Sequence, residues 1–411
     1  METVDIIKND DIYKLLSFEE VKEITKRALS NDADLMKYVI RPYSNGKLGY
    51  LGSHHRIDIT ATRKKETIAL SLFFKTIPYE VSDQADYVIE KGVFEQEAKF
   101  YSVIMPLLCE RYRGEPWAPV CYKAKSNLMV FEELSDKGYS MRDKLFDETL
   151  VRAGLSALAR MHAASLLAET RLGVPLNQLY PEAFVERAFN REGMTRQWFD
   201  SGIDIAASLA ESLGYDPDPI RSTCEQIYHA LKPSRTKANV VSHGDLWGNN
   251  LLFNNDVPPK CLLVDFQLLR YCPLAHDVAQ FLYLCTDRSF RETWENAMLR
   301  HYYETLRETL NIHEIRTQIP PWSEVIEGME EQRLGAAITA ISYFPTVLMD
   351  ENVSAQGINK SASFIDYHIH NRKEAFLLNM EKDSVYRRRI KETIIELAEL
   401  ASRLDQLPAP S

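Results

Sequence analysis

The sequence lacks an excess of positive charge. It contains 49 lysines and arginines against 59 aspartates and glutamates, which gives a formal net charge of -10. Nucleic acids and anionic membranes are attracted to basic surfaces, so we expect neither of them to be the main partner. A phosphate-bearing ligand would have to be bound by a few placed cations, main-chain amides and metal ions.

Paired cysteines and long apolar runs are also missing. The six cysteines include no Cys-x-x-Cys pair, which argues against a disulfide framework or a zinc ribbon and for reduced thiols in the cytoplasm. The first 30 residues carry too many charges for a signal peptide, and no stretch approaches the roughly 18 to 20 apolar residues of a membrane span. We therefore expect a cytoplasmic protein that is monomeric and is not embedded in a membrane.

The first third of the sequence indicates an antiparallel sheet. Residues 17–20, Ser-Phe-Glu-Glu, form a capping box that opens an amphipathic helix. Strand-like texture begins at about residue 47. The strand candidates are residues 56–60, 69–74, 119–122 and 127–132, with a helix through residues 94–104 between them. With the strand texture that begins at about residue 47 counted as the first strand, the order β-β-β-α-β-β describes an antiparallel sheet that carries one helix.

After about residue 135 the pattern is mainly helical. Residues 147–167 place apolar side chains along one stripe of a helix. Two short apolar runs, residues 251–253 and 261–264, interrupt the helical pattern as a hairpin. We therefore predict a two-lobed α+β fold, with a small sheet lobe over residues 1–134 and a large helical lobe over residues 135–411.

One segment of the helical part carries a pattern of acidic and amide side chains. Asp245 precedes Asn250 by five residues, and Asp265 follows at the end of the next strand. Phosphoryl transfer requires an acceptor hydroxyl in line with the γ-phosphorus, and metal ions that neutralise the phosphate oxygens. Asp245 can accept the hydroxyl proton, and Asn250 and Asp265 offer hard oxygen ligands for Mg2+. The alternative is that Asp245 and Asn250 only cap a turn, as such residues often do.

This segment resembles the catalytic core of the protein-kinase-like superfamily, in its aminoglycoside and choline kinase branch, with His-Gly-Asp in place of His-Arg-Asp. Further stretches resemble the ecdysteroid kinase-like (CHK kinase-like) family of arthropods and nematodes. They are residues 72–78, Leu-Phe-Phe-Lys-Thr-Ile-Pro, residues 94–101, Phe-Glu-Gln-Glu-Ala-Lys-Phe-Tyr, residues 130–134, Val-Phe-Glu-Glu-Leu, residues 158–165, Leu-Ala-Arg-Met-His-Ala-Ala-Ser, and residues 264–268, Val-Asp-Phe-Gln-Leu. The ordered set covers about residues 49–284.

The resemblance implies ATP and Mg2+ as cofactors and assigns two charged side chains to the nucleotide. Lys75 matches the strand lysine that contacts the α- and β-phosphates, and Glu97 matches the helix glutamate that pairs with this lysine. Glu95 is a rival for the pairing role. The alternative for Lys75 is a solvated strand end.

The resemblance also implies main-chain contacts to the nucleotide. Glu132 and Leu134 match the linker whose C=O and N–H groups meet the adenine edge. Gly49, Gly52 and Ser53 match the turn that presents amides to phosphate, although this turn has no Gly-x-Gly-x-x-Gly pattern.

These observations favour an ATP-dependent kinase for a small, largely apolar alcohol, which the resemblance suggests is ecdysteroid-like. The chain between Asp265 and the next helix is short, residues 267–273, which leaves no room for a peptide-docking segment. We expect the acceptor pocket to come from residues 175–235 and 285–380. Its candidate wall residues are Trp198, Trp322, Tyr343 and Phe344. The alternatives are a pseudokinase that binds a ligand or partner, a helical interaction protein, and a kinase for a cation such as choline or an aminoglycoside.

Overall fold

A computed structural model describes residues 12–44, 51–314, 316–349, 363–370 and 372–411. Gly49 therefore lies outside the described residues. The described chain is an α+β structure with a five-stranded antiparallel sheet in its first part and mainly helices in the rest. This architecture confirms the predicted fold class.

The sheet has the strand order β1-β2-β3-β5-β4. Its strands are β1 (Asp34–Pro42), β2 (Ser53–Arg63), β3 (Glu66–Thr76), β4 (Cys121–Lys125) and β5 (Leu128–Glu132). A two-residue turn joins β2 to β3, and both of its residues, Lys64 and Lys65, have positive φ angles, as hairpin turns of this length require. One face of the sheet forms a small core with the first helix, to which Ile57 and Phe74 contribute.

The helices of the first part are α1 (Phe18–Ala28), α2 (Ser82–Lys91), α3 (Val93–Lys99) and α4 (Met105–Cys109), with a π-helical turn (Phe100–Ile104) between the last two. The predicted capping box at Ser17 is confirmed, since its hydroxyl accepts from the Glu20 amide and the Glu20 carboxylate accepts from the Ser17 amide. Gln96 anchors α3, because its Nε2 donates to the carbonyl oxygens of Ala183, Val185 and Leu269 at 2.9–3.1 Å.

The second part is mainly helical, with helices of 4 to 26 residues. They are α5 (Glu148–Leu172), α6 (Leu176–Leu179), α7 (Gly193–Ser212), α8 (Pro217–Cys224), α9 (Ile227–Ala230), α10 (Leu274–Cys285), α11 (Arg288–Asn311), α12 (Trp322–Val347), α13 (Arg372–Lys382) and α14 (Ser384–Ala401), with a π-helical turn (Asp366–His370) before α13. The predicted helix over residues 147–167 is confirmed as α5, and Asp147 caps its N-terminus.

Two small sheets interrupt these helices. The predicted hairpin is confirmed as β7 (Leu251–Phe253) paired with β8 (Cys261–Leu263), and a second pair joins β6 (Asn239–Ser242) to β9 (Arg270–Pro273). Within the described residues, no helix combines the length and the apolar character needed to cross a membrane.

The structure corrects two expectations about strands. The sheet begins at β1, before the strand texture that starts at about residue 47. β1 has no clean alternation, because Met36 and Val39 are exposed and only Ile40 is buried. The short strand β9 was not predicted either. It is buried along its whole length, so its four residues carry no period of two.

Candidate active site

A cavity of about 420 Å³ is lined by residues from both parts of the chain. Its walls include eight of the ten residues singled out from the sequence, namely Gly52, Lys75, Glu97, Glu132, Leu134, Asp245, Asn250 and Asp265. Ser53 does not line the cavity, and its hydroxyl donates to Glu80 instead. The structure thus brings together side chains that are up to 213 residues apart in the sequence.

Lys75 joins two carboxylates beneath this cavity. Its Nζ lies 2.7 Å from Glu97 Oε2 and also donates to Asp265 Oδ1. Burial alone would lower the pKa of Lys75, but the charges of Asp265 and Glu97 raise it, so the ammonium stays protonated. Glu95, the rival for the pairing role, is bound instead to Lys99 at 2.9 Å on the same helix. One ammonium group therefore links three elements, namely the sheet, helix α3 and the segment after β8.

The loop after β6 is held by a single buried carboxylate. Asp277, near the start of α10, accepts hydrogen bonds from the Ser242 hydroxyl at 2.6 Å and from the amides of His243 at 2.7 Å and Gly244 at 3.1 Å. His162 also contacts it through Nε2 at 3.1 Å. Although burial would raise the pKa of Asp277, the hydrogen bond and charge of His162 lower it well below the usual range. Asp277 is therefore ionised and holds the loop in place through these hydrogen bonds.

Glycine is the only residue type that fits the position of Gly244 in this loop. Its φ is +74°, and a Cβ there would lie 2.1 Å from the carbonyl oxygen of Leu268. A side chain would strain the backbone and also push the loop away from the segment that carries Asp265. The Gly in His-Gly-Asp is thus required by the close approach of two main chains.

We expect Gly244→Ala to destabilise the fold by more than about 3 kcal/mol, because backbone strain of roughly 1–2 kcal/mol is joined by the clash. Gly173→Ala is the matched control, since Gly173 has φ +71° and a Cβ there would meet no described atom within 4 Å. Thermal unfolding of both variants checks this. Equal losses of Tm would contradict the importance of the contact with Leu268.

Asp245 is buried at the end of the loop, with 5% of its surface exposed. Asn250 Nδ2 donates to its Oδ2 at 3.1 Å and to its main-chain oxygen at 2.9 Å, and Gln267 Nε2 lies 3.4 Å from Oδ2. Burial raises the pKa of Asp245 to about 7, and the charge of Asp265 acts in the same direction. The side chain is therefore able to exchange a proton near neutral pH.

The raised pKa of Asp245 means that its ionised carboxylate destabilises the folded protein at high pH. Its pKa in the unfolded chain is close to 3.8, so between about pH 4 and pH 7 the folded state holds a proton that the unfolded state has lost. Stability attributable to this group therefore falls as the pH rises through this window, by at most about 4 kcal/mol.

We expect Asp245→Asn to remove this destabilisation and to raise Tm above the wild-type value at pH 8, with a smaller difference at pH 5. Thermal unfolding of the ligand-free protein at both pH values measures it. Asp86→Asn, a change on the exposed side of α2, is the control. A loss of Tm at both pH values would show that the Asp245 carboxylate stabilises the fold.

Asn250 and Asp265 fit a divalent metal ion. Because the Asn250 Nδ2 is used by Asp245, its Oδ1 remains as a coordinating atom. Asp265 is partly open to the cavity and has a φ of +70°, a strained value for a residue with a side chain. One carboxylate and one amide oxygen suit Mg2+, which takes its remaining ligands from phosphates and water. The described residues contain no cluster of three His, Cys, Asp or Glu side chains that could hold a metal ion.

The other end of the cavity is aromatic. Of the four candidate wall residues, Trp198 and Tyr343 line the cavity. Trp322 and Phe344 lie elsewhere, Trp322 against Tyr303 and Phe344 under the guanidinium of Arg389. Further wall residues at this end are His368, which lies within the predicted stretch 285–380, and Tyr87 and Lys91, which lie outside both predicted stretches. Two of them come from α2 in the first part of the chain, so the pocket is not built by the helical part alone.

Comparisons with known proteins identify the family to which the chain belongs. A sequence profile of the ecdysteroid kinase-like family matches residues 48–314. The chain belongs to this family, as the resemblance predicted. An uncharacterized kinase-like protein of Caenorhabditis elegans, D1044.1, is 26% identical over 239 residues, which are 55% of this chain and 60% of that protein. The match therefore spans about three fifths of the length of this curated relative.

Solved structures with a similar fold include two small-molecule kinases. Choline kinase from Cryptosporidium parvum is 12% identical, with 89% of this chain and 94% of that chain covered and a TM-score of 0.41. Spectinomycin phosphotransferase in complex with ADP and spectinomycin is 12% identical, with 95% and 98% covered and a TM-score of 0.39.

Proposed function

We propose that this protein is an ATP- and Mg2+-dependent kinase that phosphorylates a hydroxyl group of a small, largely apolar molecule. The observation that carries the proposal is the placement of Lys75, Asp265 and Asp245 on one cavity. A fixed ammonium, two metal-binding oxygens and a buried carboxylate of raised pKa are the groups that phosphoryl transfer needs from a protein.

In this proposal each group has a separate task. Lys75, held by Glu97, binds the α- and β-phosphates. Asn250 and Asp265 hold Mg2+, which supplies charge neutralisation on the phosphate oxygens when bound. Asp245 orients the acceptor hydroxyl and takes its proton, and burial has placed its pKa where it can do so at neutral pH.

The nucleotide's other contacts are proposed along the first part of the chain. Glu132 and Leu134 would meet adenine through main-chain groups, because the Glu132 carboxylate is already bound to the Val120 amide at 2.7 Å and to Lys137. Gly52 packs against Lys75, and a Cβ added at Gly52 would lie 3.3 Å from Lys75 Cε. Because glycine has no side chain, the main chain can approach phosphates closely there. Residues 1–134 would form the nucleotide lobe and residues 135–411 the catalytic lobe.

The apolar end of the cavity supports a ring-bearing alcohol as acceptor. Trp198 and Tyr343 are packed edge to face at 5.9 Å, and His368 lies nearly parallel to Trp198 at 6.4 Å. Flat apolar walls with few polar groups bind ring systems through contact area and leave orientation to the polar groups. An ecdysteroid-like alcohol has this character.

A direct test combines nucleotide binding with turnover. Isothermal titration with ADP and Mg2+ reports the nucleotide site, and ATP consumption is then measured against a panel of steroid alcohols, choline and aminoglycosides. Turnover of a steroid alcohol supports the whole proposal. Turnover of choline alone would keep the kinase and reject the acceptor, and nucleotide binding without turnover of any alcohol would favour a binding protein.

A further inference from the structure

Lys91 is a buried cation at the aromatic end of the cavity. It ends helix α2 and keeps 8% of its surface exposed. Its Nζ lies 3.5 Å from the Tyr87 hydroxyl and 5.6 and 5.7 Å from the ring centres of Tyr87 and Trp198. Within the described part of the chain, no carboxylate forms an ion pair with it, unlike Lys99 on the next helix, which is bound to Glu95.

A second cation lies close to the same tryptophan. The Arg372 guanidinium is 4.7 Å from the Trp198 ring and donates to the Trp198 carbonyl oxygen at 3.1 Å and to that of Ser342. His368 does not offset this charge. Burial lowers the pKa of His368 well below its usual range, and the charges of Arg372 and Lys91 act in the same direction. Two cations, Lys91 and Arg372, therefore lie beside Trp198, and the charge of Lys91 also acts on Asp245.

The same region also has hydrogen-bond donors without acceptors. The Trp198 Nε1 is buried and has no acceptor among the described residues. Lys91 carries three donors, and its one contact with an oxygen, at Tyr87, is long. Burying an ammonium without a carboxylate is unfavourable, and contact with aromatic faces offsets only part of the cost. What is missing at this end is an electron-rich oxygen.

We propose that Lys91 selects the acceptor by donating to an oxygen of a ring-bearing molecule that lies against Trp198 and His368, and that it excludes acceptors carrying an ammonium group. The oxygen is a carboxylate, carbonyl or hydroxyl group of the ligand, distinct from the hydroxyl that faces Asp245. This specificity role rests on the proposed kinase function, because it assumes that the aromatic end of the cavity holds the acceptor.

The test uses two fluorescent probes that share a hydroxymethylnaphthalene ring system and carry opposite charges. The first is 6-(hydroxymethyl)-2-naphthoate, and the second carries a trimethylammoniomethyl group in place of the carboxylate. Each is titrated into the wild-type protein and into Lys91→Met, Lys91→Arg and Lys99→Met. Lys99→Met is the matched control, because this lysine does not line the cavity.

We expect the wild-type protein to bind the naphthoate at least about tenfold more tightly than the ammonium probe, since like charges repel strongly in a cavity of low polarity. The preference should fall close to one in Lys91→Met, return in Lys91→Arg and stay unchanged in Lys99→Met. Equal affinities in the wild type, a preference unchanged in Lys91→Met, or no binding of either probe up to about 5 mM would overturn the proposal.

A separate titration with ADP and Mg2+ keeps the two proposals apart. If the wild type fails to bind ADP, the kinase function fails, whereas the probes still report whether Lys91 gives the cavity its charge preference. If ADP binds and the preference is absent, only the role of Lys91 is rejected.

Discussion

Asp245→Asn is expected to lower kcat by about 100- to 10,000-fold while leaving the affinity for ADP and Mg2+ within about threefold of wild type. The carboxylate is buried next to Asn250 and Gln267, and burial raises its pKa to about 7. An amide of the same shape can keep hydrogen bonds to both neighbours but cannot take a proton from the acceptor. The loss should therefore fall on the chemical step and not on binding.

Two measurements test whether a loss of kcat comes from the chemical step or from a damaged fold. The Asp86→Asn variant, which changes an exposed carboxylate on α2, should keep wild-type turnover. The unfolding experiment at pH 8 should show that Asp245→Asn is at least as stable as the wild type. A variant that is stable, binds ADP and retains turnover within about tenfold of wild type would remove Asp245 from the reaction.

The local patterns in the sequence predicted most of the fold, and the exceptions have physical causes. The capping box at Ser17 and the long apolar stripe of α5 were found because their signals lie within a few neighbouring residues. The edge strand β1 was missed because an edge strand need not alternate, and eight of its nine residues, all but Ile40, are exposed or half buried. The pairing of β6 with β9 depends on a contact between segments about 30 residues apart, which no local pattern records.

Some residues of the candidate site could likewise be predicted from a local pattern, and others could not. The residues to which we assign the catalytic loop stand in a short ordered motif, so their grouping around one cavity could be predicted from Asp245 and Asn250 outward. Lys91 had no such signal, because an isolated lysine at the end of a helix resembles any solvated helix terminus. Its burial arises only when α2 packs against the turn that carries His368, through Tyr87 at 5.5 Å. The residue to which we assign acceptor recognition is thus positioned by packing between elements that are distant in the sequence.

Asp265→Ala is expected to raise the Mg2+ requirement of the protein, and Asn250→Ala to raise it to a smaller extent. A carboxylate contributes a full charge to the metal and an amide only a dipole, so the loss of Asp265 should raise the Mg2+ concentration for half-maximal activity by about tenfold or more. Without Mg2+ the sign changes, because the Asp265 carboxylate then repels the phosphates, and its removal should leave ATP affinity equal or improved.

Titrations of ATP with Mg2+ and with EDTA separate this role from a structural one. Asp265→Asn keeps the oxygen and removes the charge, so it should fall between wild type and Asp265→Ala, while Asp256→Ala in the exposed β7–β8 loop should behave as wild type. Since Asp265 also binds Lys75, a purely structural loss would weaken ATP binding by the same factor in both buffers. That outcome, or wild-type Mg2+ dependence in both Asp265→Ala and Asn250→Ala, would rule out these residues as the metal ligands.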